Sequence, residues 1–209
     1  MNISLFPTPI YFFNVADTED GANLSKALDD TDIESVIDTN TRWDCKVDTG
    51  FFNFLKGIKL SYEVEEAAKS CIIPHIKNFI ASTPTPNVDD LNVEIKNLWL
   101  NRYFKGYNQE AHNHIGYEIS FNYVYKTTTP DTSFKFINMG IPSVADLWSE
   151  KEQLILSSKE TLLDLQEGDL VIFPSFLYHS VFHKNENERI TLSGNANITR
   201  VTGNRDETR

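Results

Sequence analysis

The sequence predicts a mainly β fold, in which an N-terminal strand and helical layer packs on a β-barrel or jelly roll. Three observations lead there. The 209 residues are 40% hydrophobic, with 14 Phe and 8 Tyr, residue types that favour strands. From residue 91 onward apolar residues alternate with polar ones between turn residues, in "NVEIKNLWLNRYF", "EISFNYVYK", "SFKFIN", "TLLDL", "DLVIFP", "HSVFH" and "RITLSGNANI". Short strands separated by turns build sandwiches and barrels. Before residue 91 the apolar spacing is that of a helix.

Taken in order, "LFPTPIYFFNV" reads as an edge strand, because Pro7 and Pro9 cannot donate to a central ladder. "TEDGANLSKALDD" reads as a short helix. Residues 60–81 set Val64, Ala67, Ala68, Cys71, Ile72, Ile76, Phe79 and Ile80 at helical spacing, and Pro74 is expected to kink or split that helix. "STPTPNVDD" then closes the helical layer. Segment 139–160, "MGIPSVADLWSEKEQLILSSKE", interrupts the strands and reads as a long loop with some helix, a lid candidate over a barrel mouth. The expected organisation is one domain, 1–209. It holds a strand and helical layer at 1–90 and a jelly-roll core at 91–200, with the lid-like insertion at 139–160.

A net charge of −11 argues against an electrostatic grip on nucleic acid or an anionic membrane. Cys45 and Cys71 are far apart and form no CxxC, so both read as reduced, buried thiols. The N-terminus lacks a basic start and two prolines interrupt its apolar run, which is not the pattern of a signal peptide. No apolar stretch approaches the roughly 20 residues of a membrane helix. A cytoplasmic protein is the expectation.

The chemistry-bearing residues fall in two places. "EAHNHIGYEISF" carries His112 and His114. In an extended segment residues i and i+2 share a face, so both imidazoles can aim at one point. Such a pair suits a transition metal such as iron, zinc or copper. Alone it leaves three readings open: two ligands, one ligand beside a bystander, or two histidines of a polar surface turn. The second place is "EGDLVIFPSFLYHSVFHKNENERITLSGN". A turn at Glu167-Gly168 opens an apolar strand, Pro174 ends it, and His179 starts the next one. Arg189 follows ten residues later, on a strand whose one face is Arg189, Thr191, Ser193 and Asn195 and whose other is Ile190, Leu192 and Gly194. A wholly polar face on a core strand is unfavourable unless it lines a wet cavity or a charged ligand. Arg offers a planar fork that pairs a carboxylate bidentately, and a neighbouring hydroxyl can add a third hydrogen bond.

A ligand pair on one strand, a distal His, and Arg ten residues beyond it resemble the Fe(II)/2-oxoglutarate-dependent oxygenases. "YFKGYNQEAHNH" resembles the Y-x-x-G-x5-H-x-D pattern of prolyl hydroxylases, with Tyr103, Gly106 and His112 in place. The chain is also similar to a branch common in phage and marine bacterial sequences, which reads H-x-H before a Ser-containing strand, here His112, His114 and Ser120. The resemblance covers the N-terminal strand and Trp99 to Asn197, while residues 15–95 match loosely. It implies a double-stranded β-helix, with activation of O2 at Fe(II), decarboxylation of 2-oxoglutarate to succinate and hydroxylation of a small-molecule or peptide or protein substrate. By position, it implies His112 and His179 as iron ligands and Arg189 as the partner of the distal carboxylate of 2-oxoglutarate, helped by Thr191 or Ser193. Tyr103 becomes a second donor to the cosubstrate, and Asn195 and Asn122 are placed beside the iron.

The departure is His114, where most of the superfamily has Asp or Glu. A third neutral imidazole keeps an open coordination face but raises the charge of the site by one unit. The same residues partly fit the cupin motifs, through Gly106, His112, His114 and Glu118, then Gly168, Pro174 and His179. In that reading Glu118 is an alternative, fourth metal ligand. Against it, Tyr125 and Phe176 stand where the motifs have Gly, and Arg189 has no task. A non-catalytic jelly-roll binding module is the remaining reading. His183 reads as a strand-end surface histidine and His75 as a structural one.

Overall fold

Central strands covered on both faces, by helices on one side and a second sheet on the other, organise this protein. The structure, a computed structural model, describes residues 8–39, 45–83, 88–128, 131–137 and 160–201. The chain enters through β1 (Tyr11–Asn14), α1 (Glu19–Asp29) and α2 (Ile33–Val36), then β2 (Asp48–Thr49), α3 (Phe51–Leu55) and α4 (Tyr62–Ala81). Strands follow as β3 (Leu91–Tyr103), β4 (Asn108–His112), β5 (Ile119–Lys126) and β6 (Phe134–Ile137). The last four are β7 (Glu160–Leu162), β8 (Asp169–Pro174), β9 (Tyr178–Phe182) and β10 (Arg189–Arg200).

Two antiparallel sheets result, ordered β1-β8-β5-β10-β3-β2 and β4-β9-β6-β7. They form the jelly roll that the strand pattern predicts. As expected from its prolines, β1 is an edge strand, paired only through β8. Of the insertion at 139–160, all but Glu160 lies outside the described residues.

On the larger sheet, Leu98, Leu100, Phe121, Tyr123, Leu170, Ile172, Ile190 and Leu192 face α1 and α4, joining Leu24, Leu28, Val64, Ile72 and Ile76 in one apolar cluster. The opposite face sends Tyr103, Val124, Val171 and Phe173 against Phe134, Phe136 and Val181 of the smaller sheet. Both helices are capped: the Thr18 hydroxyl accepts from Gly21 N at 3.0 Å and that of Ser61 from Val64 N at 3.3 Å. Of the two outcomes expected at Pro74, a kink or a split, the split does not occur: α4 runs unbroken over 20 residues. Proline inside a helix costs about 3 kcal/mol. Burying each large apolar side chain returns roughly 1.5–3 kcal/mol, and Ile72, Ile76, Phe79 and Ile80 on the two sides of Pro74 are all buried. The packing wins.

Both cysteines are buried and neither is in a disulfide among the described residues, as expected. His75 is structural, its Nδ1 3.1 Å from the Tyr11 hydroxyl. His183 departs from expectation: it is fully buried, with Nδ1 3.0 Å from Ser133 Oγ and Nε2 2.7 Å from the Asn187 carbonyl. Among the described residues no helix is long and apolar enough to cross a membrane.

One glycine bears directly on the helix-facing side of β10. A Cβ on Gly194 would stand 2.3 Å from Phe121 Cζ and 2.7 Å from the Asn97 carbonyl oxygen. Backbone cannot yield as a side-chain tip can, so Gly194→Ala is expected to lower stability by about 1–3 kcal/mol. A urea unfolding midpoint equal to that of the wild type would refute this.

Candidate metal and carboxylate site

Strand pairing brings the first two histidines together. His112 ends β4, and the β4–β9 register sets it opposite His179. The chain then turns: the His114 amide donates to the Ser175 carbonyl at 2.9 Å, and its ring joins the pair. The ring centres lie 4.3 Å apart for His112 and His179, and 5.2 Å from His114 to each. One ligating nitrogen from each of the three falls within 4.8 Å of the others. His114 Nε2 and His179 Nε2 are 3.4 Å apart.

Backbone carbonyls set the tautomers. His112 Nδ1 lies 2.8 Å from Glu110 O, and His179 Nδ1 3.0 Å from Leu177 O. A carbonyl only accepts, so each Nδ1 carries the ring hydrogen and each Nε2 lone pair is free to bind a metal. Trp99, Phe134 and Phe173 pack on the rings with centre distances of 5.9, 5.4 and 4.9 Å. Glu118 is elsewhere. It is exposed, its Oε2 accepts from Ile198 N at 3.2 Å, and it does not join the histidine cluster.

Burial makes all three imidazoles poor bases, which suits metal binding because a ligating imidazole must be neutral. Burial, aided by the neighbouring His112, pushes His114 down to about 4. Burial, then His112 and His114, pushes His179 well below the usual range. His112 is lowered as well, chiefly by burial, against the opposing pull of Glu110. The unfolded chain protonates His114 below about pH 6.5 while the folded chain resists to about 4. Stability of the metal-free protein therefore falls as pH drops through that window, by up to about 1.4 kcal/mol per pH unit for this residue. Urea midpoints of metal-free protein at pH 7 and pH 5 check this, and equal midpoints would contradict it.

The polar strip of β10 lies on the same inner face. Arg189 is opposite Tyr103, Thr191 opposite Asn101, and Ser193 opposite both Trp99 and Asn122. Arg189 is fully buried and its Nε donates to Asp131 Oδ2 at 2.5 Å, while Nη1 and Nη2 have no hydrogen-bond partner among the described residues. Thr191 Oγ1 and Asn122 Oδ1 are likewise buried without a partner. Unpaired buried groups of this kind are rare and mark a place for a polar ligand. Ser193 and Asn195 are more occupied. Ser193 Oγ accepts from Asn101 Nδ2 at 3.0 Å and from Asn122 Nδ2 at 2.9 Å. Asn195 Oδ1 accepts from Ser120 Oγ at 2.7 Å, leaving its Nδ2 unpaired.

A cleft runs from the histidines along this strip, lined by Trp99, Asn101, Tyr103, Gln109, Asn122 and Ser193 among others. Arg189 does not border it; Tyr103 does, with its ring centre 5.4 Å from the guanidinium carbon. Burial pushes the Tyr103 phenol well above its ordinary range, so it stays a donor, and it donates to Gln109 Oε1 at 2.9 Å. Sequence reasoning missed Asp131 and Gln109. Asp131 lies in "TTTPDTS", which carries only turn signals, and Gln109 enters the cleft only through the folding back of β4.

Residues 97–195 match the model of a protein family described as "Putative 2OG-Fe(II) oxygenase". No curated protein matches the chain. Among solved structures, an oxidoreductase of the 2OG-Fe(II) oxygenase family from Burkholderia pseudomallei is similar in fold, with TM-score 0.59, 12% identity, and coverage of 90% of this chain and 84% of the other. The non-haem α-ketoglutarate-dependent epimerase SnoN of nogalamycin biosynthesis gives TM-score 0.59 at 11% identity, over 97% and 85% of the two chains. HygX from Streptomyces hygroscopicus, solved with nickel and 2-oxoglutarate, gives TM-score 0.56 at 11% identity, over 91% and 83%. At these identities the likeness speaks for the fold, a double-stranded β-helix.

Proposed function

We propose, from the premise that residues 97–195 of this chain belong to the 2OG-Fe(II) oxygenase family, that the protein is an Fe(II)- and 2-oxoglutarate-dependent dioxygenase. One observation carries the reading: the buried His179 and the half-buried His112 and His114 converge at one end of a polar strip that also holds Arg189, whose Nη1 and Nη2 lack hydrogen-bond partners among the described residues. The donor set fits the groups. Three imidazole nitrogens suit Fe(II) and leave coordination positions open, and the unpaired fork fits a carboxylate. When bound, Fe(II) and 2-oxoglutarate supply O2-dependent oxidation coupled to release of succinate and CO2.

The residues of the chain do the rest. His112, His114 and His179 hold the metal, with two rings locked by carbonyls so that nothing turns on binding. Arg189 pairs the distal carboxylate of 2-oxoglutarate, with the Thr191 hydroxyl as the added donor. Tyr103, protonated and bordering the cleft, donates to the cosubstrate in exchange for Gln109. Ser193 and Asn195 brace the strip through Asn101, Asn122 and Ser120. Trp99, Phe134 and Phe173 keep water from the rings. The substrate in this reading is a small molecule or a peptide or protein side chain, and the reaction a hydroxylation. Glu118, exposed and engaged with β10, favours this over a four-ligand cupin centre.

Anaerobic addition of Fe(II) and then 2-oxoglutarate to metal-free protein is expected to raise a visible charge-transfer band. Absence of the band in either order of addition, at saturating concentrations of both, would sink the reading.

A further inference from the structure

Arg189, behind Tyr103 and the cleft, is not a free cation. Its Nε donates to Asp131 Oδ2, and both residues are fully buried. Asp131 is itself fixed on every side. Its Oδ1 accepts from Ser133 N at 3.0 Å, and its backbone bridges Leu165 through hydrogen bonds of 3.2 and 2.9 Å. Ser133 in turn meets His183: the Asn187 carbonyl puts the ring hydrogen on Nε2, so Nδ1 accepts from the Ser133 hydroxyl. This chain of contacts gives the buried His183 a purpose, since it holds the turn that carries Asp131.

The geometry of the pair is selective. Aspartate takes the Nε side of the guanidinium, which leaves both Nη donors unpaired. A carboxylate pairs such a fork with two parallel hydrogen bonds when the fork is held in one plane. We propose that Asp131 is a positioning residue for the cosubstrate, locking the Nε edge of Arg189 so that the Nη1 and Nη2 donors are set to receive the distal carboxylate of 2-oxoglutarate. The inference rests on the reading of Arg189 as the carboxylate partner. An amide would be a poor substitute: both Asp131 oxygens accept from N–H groups, so Asp131→Asn would turn its NH2 on one of them.

The test compares two acids that bind the same metal. 2-Oxoglutarate carries the distal carboxylate, and 2-oxopentanoate keeps the 2-oxo acid and chain length without it. With Mn(II)-loaded Asp131→Ala, affinity for 2-oxoglutarate is expected to fall at least tenfold, while 2-oxopentanoate stays within about twofold of wild type. A general loosening of the barrel would move both acids together and overturn the proposal. Unchanged or tighter 2-oxoglutarate binding, the result if Asp131 merely opposed the ligand's charge, would also overturn it. The second measurement needs no variant. In Zn(II)-loaded wild-type protein with labelled arginine, the Arg189 Nε–H resonance is expected to be protected both with and without 2-oxoglutarate, and the Nη protons to become resolved only with it. An Nε–H that loses protection on ligand addition would show Arg189 leaving Asp131, and the proposal would fall. Wild-type protein that binds neither acid would instead bring down the oxygenase reading itself.

Discussion

Arg189→Ala is expected to do two separable things. The first is loss of 2-oxoglutarate binding by about 2–4 kcal/mol, the scale for truncating one partner of a buried charge pair. Anaerobic equilibrium dialysis of the metal-loaded protein reads it. The second is destabilisation by about 3–5 kcal/mol, because Asp131 is left ionised and fully buried without its partner. Against the upward push of burial, the Arg189 charge, the Ser133 side chain and the hydrogen bonds from Arg189 Nε–H and the Ser133 amide hold that carboxyl below its ordinary range, and only the Ser133 contributions survive the substitution. A double variant, Arg189→Met with Asp131→Leu, separates the effects. Removing both charges restores most of the stability, and cosubstrate binding stays lost. Unchanged 2-oxoglutarate affinity in Arg189→Ala would remove Arg189 from the site.

His179→Ala is expected to abolish metal binding and to leave a folded protein. Its ring is the common neighbour of the other two, 4.3 Å from His112 and parallel to within 8° with His114. Loss of an outer partner of a metal ligand costs roughly 10–100-fold in affinity, and loss of a ligand itself should exceed that. Glu118→Gln is the matched control. Its carboxylate caps Ile198 N on the outside of the barrel, so metal affinity should match wild type within about twofold. Metal analysis of anaerobically loaded, desalted protein reads both. Loss of metal in Glu118→Gln, with retention in His179→Ala, would reverse the assignment of the centre.

The strands and the polar strip could be read from the sequence because both follow from a period of two. A strand that places Arg189, Thr191, Ser193 and Asn195 on one face declares that face whatever its neighbours are. The helix at 60–81 was legible for the same kind of reason, but its continuity through Pro74 was not. That depends on burial against the sheet, which no local window contains. The histidine pair alone was ambiguous, and what sets His112 against His179 is the β4–β9 register, which no local window contains. Asp131 and His183 were illegible for a further reason. Their roles come from a contact between the turn before β6 and the ends of β9 and β10, joining segments about 50 residues apart or more. A carboxylate in a turn and a histidine at a strand end carry no sign of the partner they will meet.

The two faces of the larger sheet give this chain a division of labour. Leu98, Leu100, Phe121, Tyr123, Ile190 and Leu192 hold the sheet to the helices, while the residues between them in sequence form the chemical lining. Substrate preference can therefore drift by exchange of lining residues while the cohesive face stays unchanged. The same arrangement forbids a different kind of change. Inserting one residue into β10 would exchange the two sets over the rest of the strand, turning apolar side chains toward the histidine cluster and polar ones toward the helices. This protein can be altered residue by residue, but not by changing the length of its central strands.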